Sequence, residues 1–75
     1  MNEKRRKSLR EAIAHLQAAS SIVMDAGIAE QMAHDNLPDT LQYNDRGERM
    51  EEVACNLEEA GGLIDEAIPL IENSL

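Results

Sequence analysis

The side chains able to do chemistry are few and scattered. His15 and His34 are the only histidines and Cys55 the single cysteine, and neither histidine has a second histidine or a cysteine at metal-ligand spacing. His34, Asp35 and Asp39 could share a cation, but Pro38 places a turn between them and argues against their convergence, so both histidines read as surface residues. Cys55 has no charged activator with a geometric claim on it and reads as a small, half-buried hydrophobe. No catalytic constellation, metal-ligand cluster or phosphate-binding loop occurs anywhere. Tyr43 is the sole aromatic, so the residues that usually stack on nucleobases or anchor a deep ligand pocket are missing. The expectation is a non-enzymatic protein with no catalytic, cofactor-binding or metal-binding residues.

Charge carries more information. The 75 residues have a net charge of −8, yet Lys4, Arg5, Arg6, Lys7 and Arg10 hold most of the basic residues, and from Glu11 onward fourteen acids face only Arg46 and Arg49. Such a body repels nucleic acid over most of its surface and attracts basic protein surfaces. The basic run is poorly placed for the positive end of a helix dipole. In a hairpin, Asp65, Glu66, Glu72 and the terminal carboxylate would arrive beside it and balance it. Lys4, Arg5, Arg6, Lys7 and Arg10 are also the one candidate nucleic-acid arm.

These groups must be positioned by helices. Leu9, Ala12, Leu16, Ala19, Val23, Ala26, Glu30, Ala33 and Leu37 step by threes and fours, which predicts one helix from about 4 to about 35. Ala12, Ala19, Ala26 and Ala33 recur every seventh residue, a seam of small positions between large ones that admits a second helix at close range. Residues 36–44 form a connector in which Asn36 and Pro38 stop the helix, and Leu37, Leu41 and Tyr43 are expected to fold over the open end. Asp45-Arg46-Gly47-Glu48 has capping-box spacing and predicts a second helix over about 46–73 with Asp45 as its cap. Its stripe, Met50, Val53, Leu57, Ala60, Ile64, Ala67 and Ile71, would mesh with the first through Ala60 and Ala67, and a kink or early end is expected near Pro69.

The predicted fold is all-α, a single domain over 1–75 forming an antiparallel helical hairpin. Met24, Ile28 and Met32 make a second apolar stripe, which with Ile13, Ile22 and Leu63 gives a face that one partner helix cannot cover. A lone pair of helices buries too little, so this face is the expected partner or oligomer interface, and a homodimer forming a four-helix bundle is the first expectation.

The run Asp35-Asn36-Leu37-Pro38-Asp39-Thr40-Leu41-Gln42-Tyr43-Asn44-Asp45-Arg46-Gly47-Glu48, with Met50-Glu51-Glu52 and Leu57-Glu58-Glu59-Ala60 behind it, resembles a family of short acidic open reading frames in bacteriophages and prophages of anaerobic Gram-positive bacteria. About half the chain takes part. Asn44 stands where the family commonly has serine, and Gly61-Gly62 and Pro69 depart from its uninterrupted second helix. The resemblance implies a phage context, a hairpin and no activity or site. Together with the charge it suggests a protein-interaction module, an inhibitor that sets its acidic faces or Met/Ile stripe against a host defence complex. The alternatives are a small dimeric nucleic-acid-binding regulator, similar in architecture to the plasmid copy-number repressor, and a structural or assembly spacer. Nothing at the N-terminus has the apolar core of a secretion signal, so the expected location is the cytoplasm of a bacterial host, with no membrane partner.

Overall fold

The computed structural model describes residues 1–75 and is all-helical, with no strand. Helix α1 spans Glu3–Asp35, α2 is a single turn over Asp39–Gln42, and α3 spans Asp45–Glu72. Each long helix starts on an asparagine in extended conformation. The Asn2 side chain accepts from the Arg5 amide at 2.9 Å, and the Asn44 side chain accepts from the Gly47 amide at 3.0 Å, each satisfying one of the orphan donors of a helix start. The cap of α3 is therefore Asn44 and not Asp45. Asp45 and Glu48 instead occupy the first turn, where their charge complements the helix dipole.

The two long helices lie antiparallel in a rod of 58 × 14 × 13 Å. Ser20 reaches Asp65, Val23 and Met24 lie over Gly61, Gly27 lies over Ala54 and Leu57, and His34 approaches Glu51. Burial is concentrated on two sets of three residues, each spaced by sevens: Ser20, Gly27 and His34 on α1, and Gly47, Ala54 and Gly61 on α3. A side chain on Gly27 would sit 3.3 Å from Leu57 Cβ and 3.7 Å from the Ala54 carbonyl oxygen. One on Gly61 would sit 2.7 Å from Met24 Cγ, so glycine is what lets the methionine lie across α3 there.

The alanine seam is only partly where its spacing places it. Ala12 and Ala19 are half-buried beside α3, whereas Ala26 and Ala33 are exposed, and the inward positions at those levels belong to Gly27 and His34. Each stands one residue before a buried position, Ala26 before Gly27 and Ala33 before His34, about 100° around the helix from it, which puts its methyl on the flank of the seam. On α3, Met50, Val53, Leu57, Ala60, Ile64, Ala67 and Ile71 are all half-buried.

The connector also differs from its expectation. Leu37 is half-buried, but Leu41 is exposed and Tyr43 is 81% exposed, so the tyrosine closes nothing. The reversal is held by polar groups instead. The Leu41 amide donates to the Pro38 carbonyl at 2.8 Å, and Gln42 Nε2 donates to the Leu37 carbonyl at 2.9 Å, tying α2 back to the end of α1. The next chain segment passes so close that any Cβ on Gly47 would run into the carbonyl oxygens of Leu41 and Gln42. At the other end α3 continues through Pro69 to Glu72 with no early stop. Pro69 lacks an amide to donate and still accepts from Asn73 at 2.9 Å.

Helix α1 is long and apolar enough to cross a membrane by length and composition alone. In the hairpin one side of that helix is packed along α3.

Two glycine substitutions separate close approach from helix propensity. A methyl group added at Gly62 would meet no atom within 4 Å, so Gly62→Ala should raise unfolding free energy by about 0.5–1 kcal/mol. Gly47→Ala should lower it by about 1–3 kcal/mol through overpacking against the turn. Urea denaturation measures both, and equal effects of the two would contradict the packing described.

Candidate interaction surfaces

The helices bring very little chemistry together. His34 is buried rather than at the surface, with Nδ1 3.3 Å from Asp35 Oδ1 and Nε2 3.9 Å from Glu51 Oε2, too far for a hydrogen bond. Asp35 is also contacted by Gln31 Nε2 at 3.0 Å. That bond, followed by the one to His34, holds the exposed Asp35 carboxyl below the ordinary aspartate range. No three His, Cys, Asp or Glu side chains are grouped to hold a metal ion. Cys55 is exposed rather than half-buried.

The one side-chain hydrogen bond between the two long helices runs from Ser20 Oγ to Asp65 Oδ1 at 2.6 Å. Ser20 is buried and Asp65 exposed at its rim, so the bond fixes the axial register at little desolvation cost to the carboxylate.

The basic run is balanced from within α1. Arg6 and Arg10 both reach Glu3, at 3.5 and 3.1 Å, and no ion pair links the run to Asp65, Glu66 or Glu72. Lys4, Arg5 and Lys7 are exposed and without ion-pair partners, since the acidic end of α3 offers none within reach.

What the fold displays is apolar surface. Six of the 75 residues are buried and Ala54 is the only hydrophobic one among them, while ten large hydrophobic residues are exposed. They do not form one face. Met24, Gly27, Ile28 and Gln31 of α1 and Ala54 and Glu58 of α3 line a shallow groove along one side of the hairpin. Ile13 is half-buried, and Met32 continues from Met24 and Ile28 in steps of four that spiral away from α3.

Ile22 lies about 120° around α1 from Ile28, and Leu63 about 140° around α3 from Glu58, at roughly 100° per residue. Since Ser20 meets Asp65 and Met24 meets Gly61, Ile22 and Leu63 share one level on the side opposite the groove. The set Met24, Ile28, Met32, Ile22, Ile13 and Leu63 is thus divided between two sides of the molecule. Exposed Ala26 and Ala33, together with Leu70, belong to the side that Ile22 and Leu63 occupy. Periodicity on a single helix could not have shown the division, because it depends on where the second helix lies.

Compared with protein-family models, curated proteins and solved structures, the chain matches none.

The Asp35 cluster gives a direct check. In a carboxyl-detected NMR titration Asp35 should titrate below the ordinary aspartate range, and Gln31→Leu should move it upward. The depressed value means that its contribution to stability is present above the ordinary aspartate range and is lost as pH falls through the lower, folded-state value. An Asp35 that titrates within the ordinary aspartate range, in both proteins, would remove the cluster.

Proposed function

We propose that this chain is a non-enzymatic protein-interaction module: a helical hairpin that completes its apolar core by packing against protein, with a second copy as a four-helix bundle and with a foreign partner of basic surface. The observation that carries the reading is the imbalance between a core with one buried hydrophobic residue and ten large hydrophobic residues left outside it. An exposed apolar surface of that kind, rimmed by charge, is what association covers.

For the foreign partner the groove side is the better surface. Met24 and Ile28 give an adaptable apolar lip, Glu58 stands in the opposite wall, and Asp35 and Glu51 lie beyond the His34 end. A basic protein surface would be drawn to it from a distance and held by the apolar lip at contact. The charge and the resemblance to short acidic phage reading frames together favour an inhibitory role against a host defence complex with a basic nucleic-acid channel. This role would be exercised in the cytoplasm of a bacterial host.

A nucleic-acid-binding role has one specific observation in its favour. Lys4 and Arg5 have no ion-pair partners and flank a shallow depression with Met1, Asn2, Ser8 and Leu9. Against it stands an acidic surface over most of the rod.

One paired experiment separates the readings. Affinity capture from host lysate should retain a protein on the wild-type chain that is released by raised salt and lost with Ile28→Asp. In parallel, electrophoretic mobility-shift titrations with duplex DNA and with RNA should show no complex at micromolar protein. A shift abolished by replacing Lys4, Arg5 and Lys7 with alanine would transfer the assignment to nucleic acid.

A further inference from the structure

We infer that the side of the hairpin opposite the groove is the contact between two copies of this chain, and that the copies pair antiparallel, connector end against terminal end. The inference rests on the reading that the hairpin completes its core by packing against protein, and it names the partner and the geometry for one face.

The first support is the make-up of that face. At its middle stand Ile22, 69% exposed, and Leu63, 59% exposed, at one level on neighbouring helices. Leu70, 70% exposed, extends the patch seven residues along α3. The surroundings on α1 are flat, because the exposed methyls of Ala26 and Ala33 lie on this flank with Ala29 between them. Knobs of Ile and Leu beside a floor of alanine allow another helix to approach closely.

Charge supplies the second support and selects both the occupant and its direction. Residues 23–62, the connector half of the rod, contain ten acids and two bases, whereas the terminal half contains five of each. The terminal half nevertheless presents Lys4 and Arg5 unpaired, since Glu3 engages Arg6 and Arg10 instead. A rod 58 Å long with unpaired cations at one end and a dense acidic surface at the other is complementary to a reversed copy of itself. A copy in the same direction would set acidic end against acidic end.

The spacing of the small residues agrees with the reversed direction. Ala12, Ala19, Ala26 and Ala33 are symmetric about the position between Ile22 and Val23. A two-fold axis there, perpendicular to the rods, sets α1 against the partner's α1 with Ala12 opposite the partner's Ala33 and Ala19 opposite the partner's Ala26. It also brings Ile22 and Leu63 of both copies to the centre, and it carries residues 4 and 5 of each chain to the level of the other's connector, beside Asp39 and Asp45.

The test uses the full chain. Light scattering with the wild-type protein at about 100 µM, above the micromolar range of ordinary association, should give twice the 8.3 kDa chain mass. The double variant Ile22→Asp/Leu63→Asp should be monomeric with unchanged helical content by circular dichroism, and Ile28→Asp should stay dimeric. Lys4→Gln/Arg5→Gln should weaken the dimer about tenfold at low salt, and the difference should shrink as salt is raised.

Direction is read by disulfide trapping in a Cys55→Ser background. Ala12→Cys mixed with Ala33→Cys should yield a crosslinked heterodimer, while neither variant alone crosslinks. Homodimeric crosslinks from each variant alone would overturn the antiparallel arrangement. A dimer broken by Ile28→Asp and untouched by the double variant would overturn the face while leaving the protein-interaction reading in place. A wild-type monomer at that concentration would overturn the inference and the four-helix bundle with it, and capture of a foreign partner would then be the only support left for the wider reading.

Discussion

Everything in this molecule depends on how closely two helix backbones can approach where side chains are smallest. Gly27 against Ala54 and Leu57, and Gly61 beneath Met24, are places where an added methyl would meet a neighbour at 3.3 Å or less. Two rods with so few large buried residues gain little from the volume they enclose, so contact along their length must come from proximity. The buried positions recur every seventh residue on both helices, Ser20-Gly27-His34 and Gly47-Ala54-Gly61; Gly47 packs against the connector, and α1 runs along α3 from Ser20 to His34 without a single large side chain fully buried. Met24 then covers Gly61 from the groove side, and Ser20 fixes the axial position through Asp65.

That arrangement has a consequence for function. A seam whose buried positions are mostly glycine, alanine and serine encloses none of the larger apolar residues fully: Val23, Leu57 and Ile64 stay half-buried along it, and others are left on its flanks. Ile22, Leu63 and Leu70 go to one side and Met24 and Ile28 to the other. The narrowness of the seam and the exposure of the flanks have one cause. The charges follow the same geometry, because the reversal at Pro38 folds the acid-rich middle of the sequence into one end of the rod and leaves the basic run at the other.

Much of the fold is legible from periodicity. The steps of three and four from Leu9 to Leu37 and from Met50 to Ile71 mark two long helices, and Asn36-Leu37-Pro38 marks the reversal, because these signals are local and each is set by backbone stereochemistry. What periodicity does not supply is phase. Counting alanines by sevens selects Ala26 and Ala33, one residue short of the inward-facing Gly27 and His34, because a period of seven does not say which of two adjacent heptad positions faces the other helix. The heptad of Gly47, Ala54 and Gly61 is present in the sequence and is the stronger signal, since glycine recurring inside a helix is costly unless a neighbouring backbone requires it. Burial of His34 has no signal of its own, apart from its standing seven residues after Gly27. The division of the exposed apolar residues between two sides needs the position of the second helix, which no single-helix projection contains.

The claim that close approach at glycine holds the hairpin together is tested most directly by proton–proton distances across the seam. Isotopically labelled protein diluted into an excess of unlabelled protein would report intramolecular contacts alone. Strong nuclear Overhauser effects are predicted from the Gly27 Hα protons to Leu57 Hβ, and from the Gly61 Hα protons to the side chain of Met24. Their absence, with both helices still formed, would mean that the two rods do not touch where the smallest residues are, and would contradict the claim.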